Sequence, residues 1–414
     1  MRRAVVLLFA TVLLAGLFTG TGSAGASSAT DDRPAPEGAH WEHRELARPP
    51  QGVVGGTPAA PGEFPYQVAL AYAAAPGIPI RGQFCGGSLI SADTVLTAAH
   101  CVVAGIWVLI DRNDNIIDID LDLLRPDDVV VFAGDVNLGA SSTAERIDVR
   151  RIQLDPDLDI DINASFNLFL PDVAVLQLAD DSTTGTPVDL AVPGQEGLYA
   201  EGTPATVSGW GSTGDVLGGA PIILQHATLP MVADEDCTVA YGSDFDAARN
   251  VCAGDLATGL PSSCYGDSGG PLVVDNGGDP LQVGIVLGGD GCGAPERPNL
   301  FSRVAANTDF VGRYLDPDEV PDAPKRLTTQ QRLDRVQVSW RAPGFDGGTP
   351  ITGYQVKVGN RPIVTTGPHA RSADFNISTL QAGRPYRVTV RAINGVGTGP
   401  ARVRSFTPTP IALP

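Results

Sequence analysis

One short stretch of this chain, Gly266-Asp267-Ser268-Gly269-Gly270-Pro271, sets a hydroxyl nucleophile between glycines. Glycine lets a backbone take strained dihedrals and lets a substrate approach the main chain, so Gly266 and Gly269 leave room around the Ser268 hydroxyl. The N–H groups of Gly266 and Ser268 are then placed to face a developing negative charge, the electrostatic requirement of acyl transfer. Taken alone, Asp-Ser-Gly-Gly-Pro reads equally as an ordinary turn. A serine hydroxyl is a poor nucleophile until a base takes its proton, so the chemistry requires a histidine elsewhere in the chain.

Five histidines are available. His40 and His43 precede the expected mature start, His369 lies in a separate C-terminal region, and His226 sits in a polar context ahead of Leu229-Pro230. His100 remains, in Leu96-Thr97-Ala98-Ala99-His100-Cys101. There a strand-like apolar run ends in small residues that admit an imidazole, and a cysteine follows that could pin it. The alternative is a structural histidine beside a disulfide.

These two segments, in this order, resemble the chymotrypsin/trypsin family of serine endopeptidases. Further motifs along the chain are similar to the family's: Val53-Val54-Gly55-Gly56 to its mature N-terminus, Cys85-Gly86-Gly87-Ser88-Leu89-Ile90 to the strand before the histidine, Ser208-Gly209-Trp210-Gly211 to the segment after the first barrel, and Val251-Cys252-Ala253-Gly254. The resemblance covers about residues 53 to 316 and implies an all-β protease domain of two antiparallel Greek-key barrels with the active site between them. It also implies a third catalytic member, Asp172, at the head of Val173-Ala174-Val175-Leu176-Gln177-Leu178, although Pro171 stands where the family usually has asparagine. Ser268 would attack, His100 would move the proton, Asp172 would orient His100, and the amides of Gly266 and Ser268 would hold the oxyanion.

Composition agrees with an exported, multidomain chain of 414 residues. Met1-Arg2-Arg3, an apolar run from Ala4 to about Phe18 and then small residues read as a secretory signal peptide over 1–26, with an uncleaved membrane anchor as the alternative. Residues 27–52, rich in Pro, Ala and charge, look like a pro-segment. Six cysteines in an exported chain imply a disulfide framework with fifteen possible pairings. The resemblance implies one of them: Cys85 with Cys101, Cys237 with Cys252, and Cys264 with Cys292. No pair stands at metal-ligand spacing, and neither a metal nor a cofactor is expected.

In the family, cleavage before the residue corresponding to Val53 frees an α-amine that turns inward and pairs with the aspartate before the nucleophile, here Asp267. A buried carboxylate needs a cation, and without one the oxyanion loop should not settle. Gly52 precedes Val53 in place of Arg or Lys, so a separate activating protease is expected. The same resemblance places Ser262 at the base of the substrate pocket, where the absence of a carboxylate leaves a Lys or Arg side chain without a counter-charge. Cleavage after large apolar or aromatic residues is therefore expected, of a chymotrypsin-like or elastase-like kind. The pocket wall departs from the family: its usual Ser-Trp-Gly becomes Leu287-Gly288-Gly289, and a lining glycine becomes Asn299. Leu287 cannot donate the hydrogen bond that the family's serine gives the aspartate, and Gly288 removes an aromatic lid.

Net charge is −19, which argues against nucleic acid or an anionic membrane as partner, while the resemblance implies protein or peptide substrates. Asp118-Ile119-Asp120-Leu121-Asp122 and Asp155-Pro156-Asp157-Leu158-Asp159-Ile160-Asp161 alternate carboxylates with mostly apolar residues, a period of two that places one acidic row on each strand-like segment. A solvated face is the plain reading. Asp111, Asn113, Asn115 and Asp122 also fall at calcium-loop intervals, but Ile116 occupies the position where the turn wants glycine.

Beyond about Pro317 the character changes. Pro321-Asp322-Ala323-Pro324 is linker-like, and period-two runs such as Val336–Trp340, Ile351–Val358 and Tyr386–Ala392 follow between Gly/Pro turns. Residues 321–410 resemble a fibronectin type III β-sandwich, with Trp340 as core aromatic, Asp346-Gly347-Gly348 as a loop, Leu380 and Tyr386 near a tyrosine corner, and Asn394-Gly395-Val396-Gly397 before the last strand. A spacer and an attachment module for an insoluble substrate or cell surface are both open. Two function classes follow for the whole chain: a secreted serine endopeptidase made as a zymogen, or a catalytically weak, protease-like binding or adhesion protein.

Overall fold

The fold is given by a computed structural model that describes residues 40–45, 53–75, 77–113, 116–155, 158–160, 169–212, 220–315 and 320–410. The expected signal segment lies outside the described residues, and of the expected pro-segment only 40–45 are described. Among the described residues no helix is long and apolar enough to cross a membrane.

Six strands build the first barrel: β1 (Gln67–Tyr72), β2 (Gln83–Ser91), β3 (Thr94–Thr97), β4 (Val129–Ala133), β5 (Glu145–Leu154) and β6 (Ala174–Leu178). They pair in the order β6-β3-β2-β1-β4-β5, and β5 pairs back onto β6, so no strand edge is left open. In β5 the alternation is plain, with Ile147 and Val149 buried and Arg146, Asp148 and Arg150 exposed. By contrast β6 is buried at every position, as a strand covered on both faces must be.

The second barrel repeats the plan with β7 (Pro204–Gly209), β8 (Gln225–Val232), β9 (Asn250–Ala253), β10 (Pro271–Asn276), β11 (Asp279–Gly288) and β12 (Asn299–Arg303). Its order is β11-β10-β7-β8-β9-β12, closed by pairing of β12 with β11. The two barrels share a core in which Leu70, Leu96 and Val175 of the first join Val273 and Ile285 of the second. Two buried side-chain pairs cross the same seam: Ser208 Oγ donates to Gln67 Oε1 at 2.6 Å, and Ser88 Oγ donates to Gln282 Oε1 at 2.6 Å. Each satisfies polar atoms that burial would otherwise leave unpaired.

Three short helices accompany the barrels. α1 (Ala99–Val102) continues directly from β3; α2 (Asp234–Tyr241) opens with three acidic residues in its first turn, where the helix dipole favours negative charge; α3 (Thr308–Leu315) lays Phe310, Val311 and Tyr314 into the shared core. The strands His40–Glu45, Val103–Ile110 and Ile116–Leu123 make a separate three-stranded sheet in that order, the last of them carrying the acidic row around Asp120.

The C-terminal sandwich has one sheet of β13 (Lys325–Arg332), β14 (Arg335–Arg341) and β17 (Ser372–Asn376), ordered β13-β14-β17. The other contains β15 (Gly353–Val358), β16 (Val364–Thr366), β18 (Tyr386–Ile393) and β19 (Arg402–Phe406), ordered β16-β15-β18-β19. Trp340 and Tyr354 meet in its core with ring centres 5.4 Å apart, and the Gln381 N–H donates to the Tyr386 hydroxyl at 2.9 Å. Trp340 and Tyr386 thus hold the places that the sandwich resemblance implies.

This sandwich is docked on the protease barrels through a built contact. Phe345, 4% exposed, joins the core of the barrels, edge-on to Tyr314 of α3 at 5.3 Å and under the Arg313 guanidinium at 5.7 Å. Beside it, Arg151 Nη1 of β5 lies 2.7 Å from Asp346 Oδ2, with both side chains largely buried. Burial pushes the Asp346 carboxyl up from its ordinary range and Arg151 opposes that rise. Truncation of a buried phenylalanine costs about 3–5 kcal/mol. Phe345→Ala should therefore lower the thermal unfolding midpoint of the protease domain by several degrees in calorimetry; an unchanged midpoint would mean that the sandwich adds nothing to its stability.

Candidate active site

The position of His100 follows from strand register. β3 and β6 are antiparallel neighbours with Thr97 opposite Ala174, so the residues just past the end of β3 face those just before β6. That arrangement brings Asp172 to α1. Asp172 Oδ1 accepts the His100 backbone N–H at 2.8 Å, and Oδ2 accepts the ring Nδ1–H at 2.6 Å. The carboxylate is 3% exposed and the ring 27%. A proton held on Nδ1 by an ionised carboxylate leaves Nε2 as the free lone pair that can take a proton. Ala98 and Ala99 are fully buried, and Cys101 is tied to Cys85 of β2, which anchors the turn.

Ser268 comes from the other barrel, in the loop ahead of β10. Its carbonyl accepts the Gly86 N–H of β2 at 2.8 Å, while the Gly269 N–H donates to Val286 O at 2.8 Å. The loop therefore hydrogen-bonds to both barrels. Gly269 has φ +77°, and a Cβ there would lie 2.1 Å from Thr97 Oγ1 and 2.6 Å from Gly86 O, so only glycine fits. Gly266 has φ +88°, and its carbonyl accepts from Gln83 Nε2 at 3.0 Å. The structure thus brings His100 onto Asp172. The Ser268 hydroxyl makes no hydrogen bond to the ring or to another side chain among the described residues. Catalytic hydrogen bonds are commonly loose without substrate and tighten in the complex.

Asp267 is entirely buried. Its Oδ1 accepts the Gly211 N–H at 2.9 Å and its Oδ2 accepts the Cys264 N–H at 3.0 Å. A Cβ on Gly209 or Gly211 would fall 2.0 or 2.5 Å from Oδ1, which accounts for both glycines around Trp210. Burial pushes this carboxyl up to about 7 against the two amide hydrogen bonds, and no cation faces it among the described residues. Val53 is fully buried in the second barrel's core, and Val54 exchanges backbone hydrogen bonds with Ser262 at 2.8 and 3.0 Å.

Ser262 and Asn299, both expected at the substrate pocket, meet. Asn299 Nδ2 donates to Ser262 Oγ at 2.9 Å, Asn299 Oδ1 accepts the Ser263 N–H at 2.7 Å, and both side chains are buried. A Cβ on Gly289 would lie 3.6 Å from the same Asn299 amide nitrogen and 3.3 Å from the Tyr241 hydroxyl. Leu287 sits at a register shift between β11 and β12 and packs with Tyr241, Phe245 and Leu300. Gly288 faces open space where the expected aromatic lid is missing. The pairs Cys237–Cys252 and Cys264–Cys292 are both formed, the latter joining the Ser268 loop to the segment after β11.

Sequence reasoning missed three contributors. The Ser302 hydroxyl donates to the Asp172 carbonyl at 3.0 Å, Gln83 holds the Gly266 carbonyl, and Tyr241 backs the pocket. The one sequence signal for Ser302 is its place on β12, three residues after Asn299. Ligand atoms of Cys85, His100 and Cys101 lie within 4.8 Å of one another, but the two sulfurs are joined to each other and Nδ1 is taken by Asp172, so the group does not suit a metal. Of the calcium-spaced residues, Asn115 lies outside the described residues, and Asp111 Oδ1 accepts the Asn113 N–H at 2.7 Å within its own turn.

The Asp267 carboxyl sets a pH dependence. In the uncleaved chain its folded value, about 7, lies above the ordinary carboxylate range, so between about pH 4 and pH 7 the folded state holds a proton that the unfolded state has lost. This group's contribution therefore makes stability fall as pH rises through that window and level off above it. Asp267→Asn should flatten that slope at lower overall stability in denaturant titrations across pH 4–8, and an unaltered slope would contradict the assignment.

Comparison with known proteins agrees with this geometry. A family profile described as Trypsin matches residues 53–311, and one described as Fibronectin type III domain matches residues 322–407. The chain is 32% identical over 261 residues to Trypsin-1 of Astacus astacus, covering 63% of this chain and 98% of that protein. It is 33% identical over 273 residues to Trypsin of Saccharopolyspora erythraea, covering 65% of this chain and all of that protein. With Transmembrane protease serine 9 of Rattus norvegicus it shares 33% identity over 275 residues, 66% of this chain and 23% of that protein. Matched over well more than half its length and folded as two closed antiparallel barrels, the chain belongs to the trypsin family of serine endopeptidases, with a fibronectin type III domain following the protease domain.

Proposed function

We propose that this is a secreted endopeptidase, made as a precursor, that works through Ser268, His100 and Asp172. The observation that carries this reading is the 2.6 Å contact between a buried Asp172 and His100 Nδ1, which leaves Nε2 free to act as base. Nε2 takes the Ser268 proton as Oγ adds to the peptide carbonyl, and the new oxyanion lies against the Gly266 and Ser268 amides. The imidazolium then protonates the departing amine, leaving an acyl-serine. Water, deprotonated by the same nitrogen, releases the acid product and restores the hydroxyl. An intact Asp172–His100 contact favours the enzyme over a catalytically inert binding protein.

Maturation fits the same frame. Cleavage before Val53 by a separate protease, since Gly52 precedes the bond, would supply an ammonium for the buried Asp267 and fix the loop carrying the oxyanion amides. Export is consistent with three disulfides. The C-terminal domain would attach the enzyme to an insoluble substrate or cell surface.

For specificity, the floor is uncharged and the Asn299 amide occupies it. The expectation of large apolar side chains therefore narrows to uncharged, compact apolar ones, with aromatic residues admitted only as far as Asn299 allows. A peptide library should show cleavage after residues such as Leu, Val and Met, and Asn299→Gly should raise kcat/KM for Phe and Tyr by roughly tenfold, the scale of a few methylenes of pocket space. Cleavage mainly after Arg or Lys would overturn this assignment.

A further inference from the structure

The charge of this chain is divided sharply between its parts. Residues 321–410 hold 13 of the 28 lysines and arginines but only four of the 47 acidic residues, all aspartates. The C-terminal sandwich is thus net +9, on a chain of net −19. Two of its four aspartates, Asp322 and Asp346, are paired with the protease-domain cations Arg313 and Arg151. The other two lie away from the four-stranded sheet: Asp374 is on β17 of the opposite sheet, and Asp334 sits in the turn between β13 and β14, accepting from Asn376.

The outer face of the four-stranded sheet carries the consequence. Along β15, Tyr354, Val356 and Val358 point into the core, which turns Gln355 and Lys357 outward. Along β18, Val388, Val390 and Ala392 point inward, which turns Arg387, Thr389 and Arg391 outward. The pairing sets Lys357 against Thr389 and Gln355 against Arg391. With Gly359 and the half-exposed Ile363 these residues line an open groove of about 340 Å³. Arg391 Nη1 donates to Gly399 O at 2.8 Å, which holds that guanidinium in place. Neither Lys357 nor Arg387 meets a carboxylate among the described residues.

We infer that this groove is a docking surface for a linear acidic polysaccharide, one whose carboxylates pair with Lys357, Arg387 and Arg391. The inference deepens the attachment reading above by naming the chemistry of the anchor. Three neighbouring cations without a facing acid are complementary to a polyanion, and guanidinium groups match carboxylates in a two-point fork. The Gln355 amide and Thr389 hydroxyl offer donors and acceptors to sugar hydroxyls, and Ile363 offers an apolar patch to a ring face; a bare phosphate chain uses neither. Single-stranded nucleic acid would need aromatic platforms for its bases, and no aromatic side chain lines the groove. A membrane would need apolar residues to insert, and Ile363 alone does not supply them.

The test uses the full chain with Ser268→Ala, so that binding is read without proteolysis and without bearing on the peptidase assignment. Polygalacturonate binding at low salt is compared between this protein, a Lys357→Gln/Arg387→Gln/Arg391→Gln variant and a control, Arg332→Gln/Arg335→Gln, on the other sheet. The expected result is at least a tenfold weaker Kd in the groove variant, little change in the control, and at least tenfold weaker binding of matched polyphosphate and single-stranded DNA to the unsubstituted groove. The three single substitutions are measured as well, so the answer stands if the triple variant melts early. No polygalacturonate binding, equal loss in the control, or equal affinity for polyphosphate or DNA would overturn the inference.

Discussion

The site depends on how closely two backbones can approach. Ser268 belongs to one barrel and His100 to the other, and no single strand carries both. What joins them is a contact without intervening side chains, in which Gly86 donates to the Ser268 carbonyl and Gly269 lies against Thr97 and the Gly86 carbonyl. A Cβ at Gly86 would sit 3.1 Å from the Gly270 Cα, so glycines on both sides of the seam are needed for it to close. The buried pairs Ser208–Gln67 and Ser88–Gln282 then fix the barrels in that relation. Catalytic geometry tolerates little looseness, and here it is supplied by the rigid part of the fold.

A second constraint is the charge that the same loop buries. Asp267 sits between two glycines that make room for it and two amides that hydrogen-bond it, yet no cation faces it among the described residues. The residue next to Ser268 is therefore a buried carboxyl held by amides alone among the described residues. Under the proposal that cleavage frees the Val53 amine, this is the carboxyl that amine would meet, and Val53 itself is buried in the second barrel's core.

Much of this was legible in the sequence because the informative residues are constrained by type. Glycines around Ser268, alanines before His100 and an aspartate heading an apolar strand each have few substitutes, and the structure brings His100 and Asp172 into contact as the motifs suggested. The cysteine pairing implied by family resemblance is the pairing observed. Less legible was everything set by cross-strand neighbours. Ser302 reaches the Asp172 carbonyl only because β12 lies where it does, and Asn299 meets Ser262 through a hydrogen bond that no linear spacing announces. Phe345 escaped for a similar reason: a loop residue of a β-sandwich carries no sign that it will pack into another domain's core.

The central claim is that one hydroxyl, activated across the barrel seam, does the chemistry. Labelling of the processed enzyme with a fluorophosphonate, followed by mapping of the modified peptide, tests it most directly. The account predicts a single adduct at Ser268, lost in Ser268→Ala and strongly slowed in His100→Ala and Asp172→Asn. Labelling at another residue, or at Ser268 with no dependence on His100, would contradict it.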